Sequence, residues 1–160
     1  MNKKNADSLE KAKGYAFLLL KFRQRSEKEL EQRLKRKKFS EEIIRKTVEF
    51  LREKEFLNDN LFAKSWIESR IKRPFGLRRI KEELKDKGLD KQIIEEKISE
   101  VKESYSEEAV VEQLARMRLG KLKGIEAFAA RRRVYAYLIR RGFSPEVVTE
   151  VINQLCEQFY

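Results

Sequence analysis

Seven apolar positions recur three times along this chain at fixed offsets, and that repetition narrows the possible folds sharply. Leu30, Leu34, Phe39, Ile43, Ile44, Val48 and Leu51 form the first set. Fifty residues on stand Ile80, Leu84, Leu89, Ile93, Ile94, Ile98 and Val101. A further step, 104 residues from the first set, reaches Val134, Leu138, Phe143, Val147, Val148, Ile152 and Leu155. All 21 positions are apolar in a chain that is 41% hydrophobic, so coincidence is a poor explanation. Repetition at this period marks modules that bury their apolar faces against their neighbours.

The spacing within each copy is helical. Leu30 and Leu34 share one helical face, and Ile43, Ile44, Val48 and Leu51 make a stripe of 3.6-residue period. Between the two helices the punctuation repeats. Ser40, Asp90 and Ser144 follow the central apolar residue and can accept from the unpaired N–H groups of a helix start. Pro145 suits a first helical position. Glu41, Glu42 and Glu146 place negative charge at the positive end of the helix dipole. Gly88 and Gly142 stand where a helix ends on a left-handed residue. Lys38 holds that place in the first copy, which predicts strain or a different geometry there. Ser26 with Glu29 forms a capping box.

A third helix precedes each pair. The first is expected over about Ser8–Arg23, with Leu9, Ala12, Ala16, Leu19 and Leu20 inward. The next opens near Asn58, carries Phe62, Trp66 and Ile67, and stops near Pro74 because the residue before proline disfavours helical geometry. The last opens at Ser106 with Ala109, Val110, Leu114 and Met117 inward and ends near Gly120. The expected fold is therefore all-α: three tandem three-helix repeats, helix-turn-helix-like, in an elongated, curved arrangement. The expected boundaries are 1–56, 57–104 and 105–160.

Charge follows the repeat. Lys and Arg number 38 against 27 acids, a net charge of +11. Residues 21–38, 70–91 and 116–141 carry net charges of +6, +5 and +8, so the rest of the chain is net −8. Each basic window surrounds the middle helix of a repeat. Such windows can be plain solvated faces, or ridges presented to an extended polyanionic or acidic partner. The repetition favours the second reading.

Catalytic sets are missing. The chain has no histidine, which removes the commonest general base and transition-metal ligand. It shows no HExxH, CxxC or nucleophile elbow. The segment Gly120–Gly124 lacks phosphate-loop spacing and reads as a flexible joint. Phe62 and Trp66 could stack bases, but their helical spacing fits a core better. Cys156, the single cysteine, reads as an apolar filler on the last helix. No enzyme, cofactor or metal is expected, and the longest apolar run is too short to span a membrane.

Three segments resemble a known family. Asn58–Ile94 is similar to the signature of the RecX family, through Asn58-Asp59, Phe62-Ala63, Trp66, Arg70, Gly76, Arg79-Ile80, Glu83-Leu84 and Lys87-Gly88. Arg25–Ile44 resembles the family's preceding unit and Tyr137–Val148 its C-terminal one. Lys38 departs from the family's usual glycine. The resemblance implies a cytoplasmic, non-enzymatic protein without cofactor that binds the RecA–DNA filament. It would lie along the filament groove and restrain recombinase, strand-exchange and co-protease activity, in homologous recombination, DNA repair and the SOS response. Some members of that family also bind DNA directly. The expected state is a monomer without membrane contact.

The expected contact residues are the basic ridges. Arg70, Lys72, Arg73, Arg78, Arg79 and Lys81 would form the central one. Lys21, Arg23, Arg33 and Lys35 would form the N-terminal one, and Arg131, Arg132, Arg133, Arg140 and Arg141 the C-terminal one. Arg78 and Arg79 are read as pointing away from the Ile80–Leu84 stripe and free to bind. The alternatives are a helix-turn-helix DNA-binding protein acting without RecA, and an adaptor for another acidic protein. All three helix pairs look alike and none carries an obvious base-reading set: the middle helices are dominated by Lys and Arg, with Gln32 as their one amide residue, which suits phosphate contact better than base reading.

Overall fold

The structure is a computed structural model that describes the backbone of residues 3–159 and the side chains of residues 8–155. Among the described residues there are nine α-helices and no strand. They are α1 (Lys3–Phe22), α2 (Glu27–Arg36), α3 (Glu41–Glu53), α4 (Asp59–Ile71), α5 (Leu77–Asp86), α6 (Lys91–Lys102), α7 (Glu107–Gly120), α8 (Ala127–Arg140) and α9 (Pro145–Phe159). The side chain of Cys156 lies outside the described residues.

The repeated positions are the core. Of the 21, 17 are buried and the other four, Phe39, Ile93, Val101 and Val147, are half-buried. The expected caps form. Ser26 Oγ accepts from Glu29 N at 3.1 Å and Ser26 N donates to Glu29, completing the capping box. Ser40 Oγ accepts from Ile43 N, Asp90 Oδ1 from Gln92 N and Ser144 Oγ from Val147 N. Each bond satisfies a helix-start donor that would otherwise be unpaired.

One inward face differs from expectation. Ala109 and Met117 are exposed, while Val111, Leu114 and Ala115 are buried. The apolar residues of α7 run almost all round the helix, so the stripe could be drawn one residue off. The partners on α8 and α9 select Val111 and Ala115.

The helices gather in two compact units. Residues 1–66 with 84–97 make unit 1, and residues 67–83 with 98–160 make unit 2. In unit 1, Ala12, Ala16, Leu30, Leu34, Ile43, Ile44, Val48, Leu51 and Leu57 form one core. In unit 2 a second core joins α7, α8 and α9 around Phe143. The middle three-helix segment contributes to both units.

Each unit contains the same joint. In unit 1 the left-handed Gly88 (φ 76°) sits against α2, where an added Cβ would lie 2.5 Å from Lys28 Cβ. Beside it, Ser26 Oγ donates to Lys87 O at 2.6 Å. In unit 2 the left-handed Gly142 (φ 84°) sits against α5, where an added Cβ would lie 2.2 Å from Arg79 Cβ. Beside it, Gly76 N donates to Arg141 O at 2.9 Å. Gly76 is buried at the same contact, and its own Cβ would meet the Gly142 carbonyl at 2.2 Å. Lys38 also adopts the left-handed conformation, at φ 63°, yet it is exposed. Its turn keeps the geometry of the other two and carries the strain of a Cβ there.

Glu29 ties the unit 1 joint electrostatically. Its carboxylate accepts from Arg23 at 3.0 Å and from Lys87 Nζ at 2.8 Å. Burial pushes its pKa up, but the hydrogen bonds and charges of Arg23 and Lys87 outweigh this and hold it at about 2.

Three stability experiments follow from these contacts. Gly142→Ala is expected to destabilise by about 2–5 kcal/mol, combining left-handed strain with overpacking. Lys38→Gly meets no such clash and is expected to stabilise by roughly 0.5–1 kcal/mol, read by urea melts. For Glu29, a carboxylate held below its ordinary value stabilises the fold above that value and loses this contribution as the pH falls towards the folded value. Glu29→Gln keeps the cap but not the charge, and should cost about 1–2 kcal/mol at pH 7. The deficit should shrink between pH 4.5 and about 2, and a gap that stays constant over that range would count against the ion pair.

Candidate polyanion-docking surface

Helix α4 ends at Ile71, and residues 72–76 lead through Pro74 and Phe75 into α5. The half-buried Phe75 ring is the centre of an arginine cluster in unit 2. The guanidinium carbons of Arg79, Arg141 and Arg70 lie 4.2, 5.3 and 5.8 Å from its centroid. Cations at this range are attracted to the ring's negative face. One carboxylate holds two of the three: Arg70 Nε donates to Glu83 Oε2 at 2.6 Å and Arg79 Nε to Glu83 Oε1 at 3.0 Å. Arg141 Nη1 donates to the carbonyls of Arg73 and Pro74 at 2.8 and 3.1 Å. A second ring extends the cluster, with Arg118 at 4.5 Å and Arg141 at 5.2 Å from the Tyr137 centroid.

The expected contact residues therefore divide by role. Arg70, Arg79 and Arg141 are internal fasteners with part of their guanidinium surface facing out. The reading of Arg79 as free is corrected: Glu83 one turn on and the Phe75 ring both hold it. Arg78 is exposed and makes a long 3.4 Å contact to Ile139 O, so it too is not without a partner. Lys72, Arg73, Arg132, Arg133 and Arg140 are exposed. Arg131 is half-buried and donates to Asn153 at 2.7 Å, and Lys81 is half-buried. The structure brings the central and C-terminal ridges together at the Phe75 segment, where Arg141 of one grips the backbone of the other.

Lys21, Arg23, Arg33 and Lys35 belong to unit 1. Lys21 and Arg33 are exposed. Arg23 pairs with Glu29 and also donates to Gln24 O, and Lys35 pairs with Glu41 at 3.1 Å. Trp66 stacks on Phe62 at 5.7 Å, and Lys87 Nζ sits 4.2 Å from the Trp66 centroid. Phe62 is buried and Trp66 half-buried, so the pair serves the core and not an open stacking platform.

Chemically, the cluster offers planar guanidinium forks, pre-oriented by aromatic rings, to carboxylate or phosphate oxygens. It offers no nucleophile paired with a base. Among the described residues no group of His, Cys, Asp and Glu could hold a metal ion, and no helix is long and apolar enough to cross a membrane. Phe75, Tyr137, Glu83 and Arg118 were missed as organisers. Only Glu83, four residues after Arg79, carried a sequence signal for its role.

Three family models match this chain in order: the first, second and third three-helix domains of RecX, over residues 12–51, 58–98 and 106–152. Curated proteins named regulatory protein RecX are similar over most of their length. The one from Chlorobium phaeobacteroides is 35% identical over 91% of this chain and 93% of its own. That from Amycolatopsis mediterranei is 34% identical over 93% and 85%. The one from Clostridium acetobutylicum is 32% identical over 90% and 68%. The crystal structure of RecX from Lactobacillus salivarius matches with a TM-score of 0.82 at 23% identity, covering 94% of this chain and 97% of that one. A tandem array of three-helix domains, matched in order and at this identity to regulatory RecX proteins, places the chain in the RecX family.

Proposed function

We propose that this protein is a non-enzymatic regulator that binds the RecA–DNA filament and restrains strand exchange, ATP hydrolysis and co-protease function. In this reading it acts in the cytoplasm as a monomer of three modules, 1–56, 57–104 and 105–160. The observation that carries the reading is the arginine cluster around Phe75, in a chain whose relatives are named as regulators. Guanidinium groups fixed on aromatic rings lose little freedom when they meet an oxyanion, so more of the contact energy is available for binding. The middle helices α5 and α8, which carry the basic residues on either side of Phe75, contain no Asn or Gln, which supports contact with phosphates and acidic side chains over sequence recognition.

The exposed cations beside the fasteners can be altered without dismantling the fold. Lys72→Glu, Arg73→Glu and Arg140→Glu in combination leave Glu83, Phe75 and Arg141 in place. The variant is expected to retain parental helicity and melting temperature while binding RecA-coated single strands at least tenfold more weakly. The parent protein should prefer the coated strand to naked single strand and naked duplex at two salt concentrations, and should slow RecA ATP hydrolysis. Unaltered inhibition by the triple variant would remove this surface from the mechanism. Tight binding to naked duplex with a steep salt slope, and indifference to RecA, would establish an independent DNA-binding protein instead.

A further inference from the structure

Unit 1 contains a second group of arginines with a different construction. A cleft of about 180 Å³ is lined by Arg23, Arg25, Glu29, Gln32, Arg33 and Arg36. That is roughly 12–18 times the ~10–15 Å³ that admits one water. Glu29, Gln32, Arg33 and Arg36 fall at helical spacing on one face of α2, adjoining the buried Leu30 and Leu34 stripe. Arg23 and Arg25 come from the connection between α1 and α2.

The charges in this cleft do not balance. Its single carboxylate is already occupied, accepting from Arg23, Lys87 and the Ser26 N–H. No ion pair within 4 Å joins Arg25, Arg33 or Arg36 to an acid among the described residues, and Arg25 feels the Glu29 charge only at longer range. Arg25 Nε is buried without a hydrogen-bond acceptor. Burial and the charges of Arg23 and Arg33 outweigh the opposing pull of Glu29 and lower the Arg25 pKa from its ordinary value. A buried guanidinium donor left unpaired among like charges costs free energy that an incoming anion would recover.

We propose that Arg25, Arg33 and Arg36, with Arg23 held in place by Glu29, form a pocket for a phosphoryl oxyanion. The convergence of several planar forks from two directions suits a group with three or four acceptor oxygens better than a planar carboxylate with two. The same chemistry is offered by inorganic phosphate, by a terminal phosphate and by the phosphodiesters of a nucleic acid strand. Glu29 serves as a positioning residue here: it fixes Arg23 and shields the cleft from collapse of that side chain onto the anion's place.

The test uses the full chain without RecA, so its result is separable from that of the filament experiment. Inorganic phosphate is titrated against chloride at constant ionic strength while the arginine Nε–Hε signals are followed by ¹H–¹⁵N NMR. The Arg25 signal is expected to move saturably with phosphate and little with chloride. Arg33→Gln with Arg36→Gln, both exposed positions, should weaken that response at least tenfold with an unchanged melting curve and Trp66 indole signal. Arg25→Lys, which keeps charge but loses the fork, should weaken phosphate binding at Arg23 and Arg33 similarly. A 5′-hydroxyl oligonucleotide that competes with phosphate would assign the site to internal phosphodiesters. Competition confined to a 5′-phosphorylated oligonucleotide would assign it to a terminal phosphate. An Arg25 response that is linear, that chloride reproduces, or that survives in the double variant would overturn the pocket.

Discussion

The structure depends on a steric fact at two glycines. Gly88 and Gly142 each end the middle helix of one repeat in the left-handed conformation, and each lies against the middle helix of the preceding repeat. Left-handed geometry alone favours glycine without demanding it, since the strain is about 1–2 kcal/mol for other residues. The close approach adds the second requirement. An added Cβ would stand 2.5 Å from Lys28 or 2.2 Å from Arg79, separations no carbon pair tolerates. Lys38 follows the middle helix of the first repeat, and its turn is exposed. It therefore meets the conformational condition without the steric one, which is why a lysine can stand there.

The hydrogen bond to the turn carbonyl that seals each joint recurs as well, given by a side chain in unit 1 and by the backbone in unit 2. Ser26 Oγ reaches Lys87 O in unit 1, and Gly76 N reaches Arg141 O in unit 2. Ser26 and Gly76 are 50 residues apart, and Lys87 and Arg141 are 54 apart, the spacings of the apolar repeat itself. The cation at this place is used twice. Lys87 reaches Glu29 and the Trp66 ring, while Arg141 reaches two carbonyls and the Phe75 and Tyr137 rings. A long basic side chain at the turn thus fastens one repeat to the next through its polar head.

What could be read in the sequence was whatever depended on spacing. The 21 core positions, the caps at Ser26, Ser40, Asp90 and Ser144, and the left-handed turns all follow from periods of 3.6 and about 50 residues. The inward face of α7 was misplaced because Ala109, Val110, Val111, Leu114, Ala115 and Met117 leave no single narrow stripe. The roles of individual arginines were hidden for a different reason. A sequence shows which residues share a helix face, but Arg141 meets Phe75 across 66 positions, and Arg25 meets Arg33 and Arg36 around a helix start. Composition marked the windows as basic. It could not separate the arginines that hold the fold from those that face outward.

That separation explains how a chain of net charge +11 folds at all. In each unit one partly buried carboxylate is shared by two cations: Glu29 by Arg23 and Lys87, and Glu83 by Arg70 and Arg79. The Glu83 pair with Arg70 has both side chains about one-fifth exposed, so salt screens it less than it screens solvent-facing charges. Rings take up further guanidinium groups without any acid. Attraction is thereby concentrated at the joints, and the unneutralised charge is left on Lys72, Arg73, Arg132, Arg133 and Arg140, where repulsion is weakened by solvent. The cationic patches follow from how the joints are neutralised: the carboxylates there are spent on holding arginines and lysines, the exposed cations beside them stay positive, and many of the exposed acids lie apart on α3, α6 and α9.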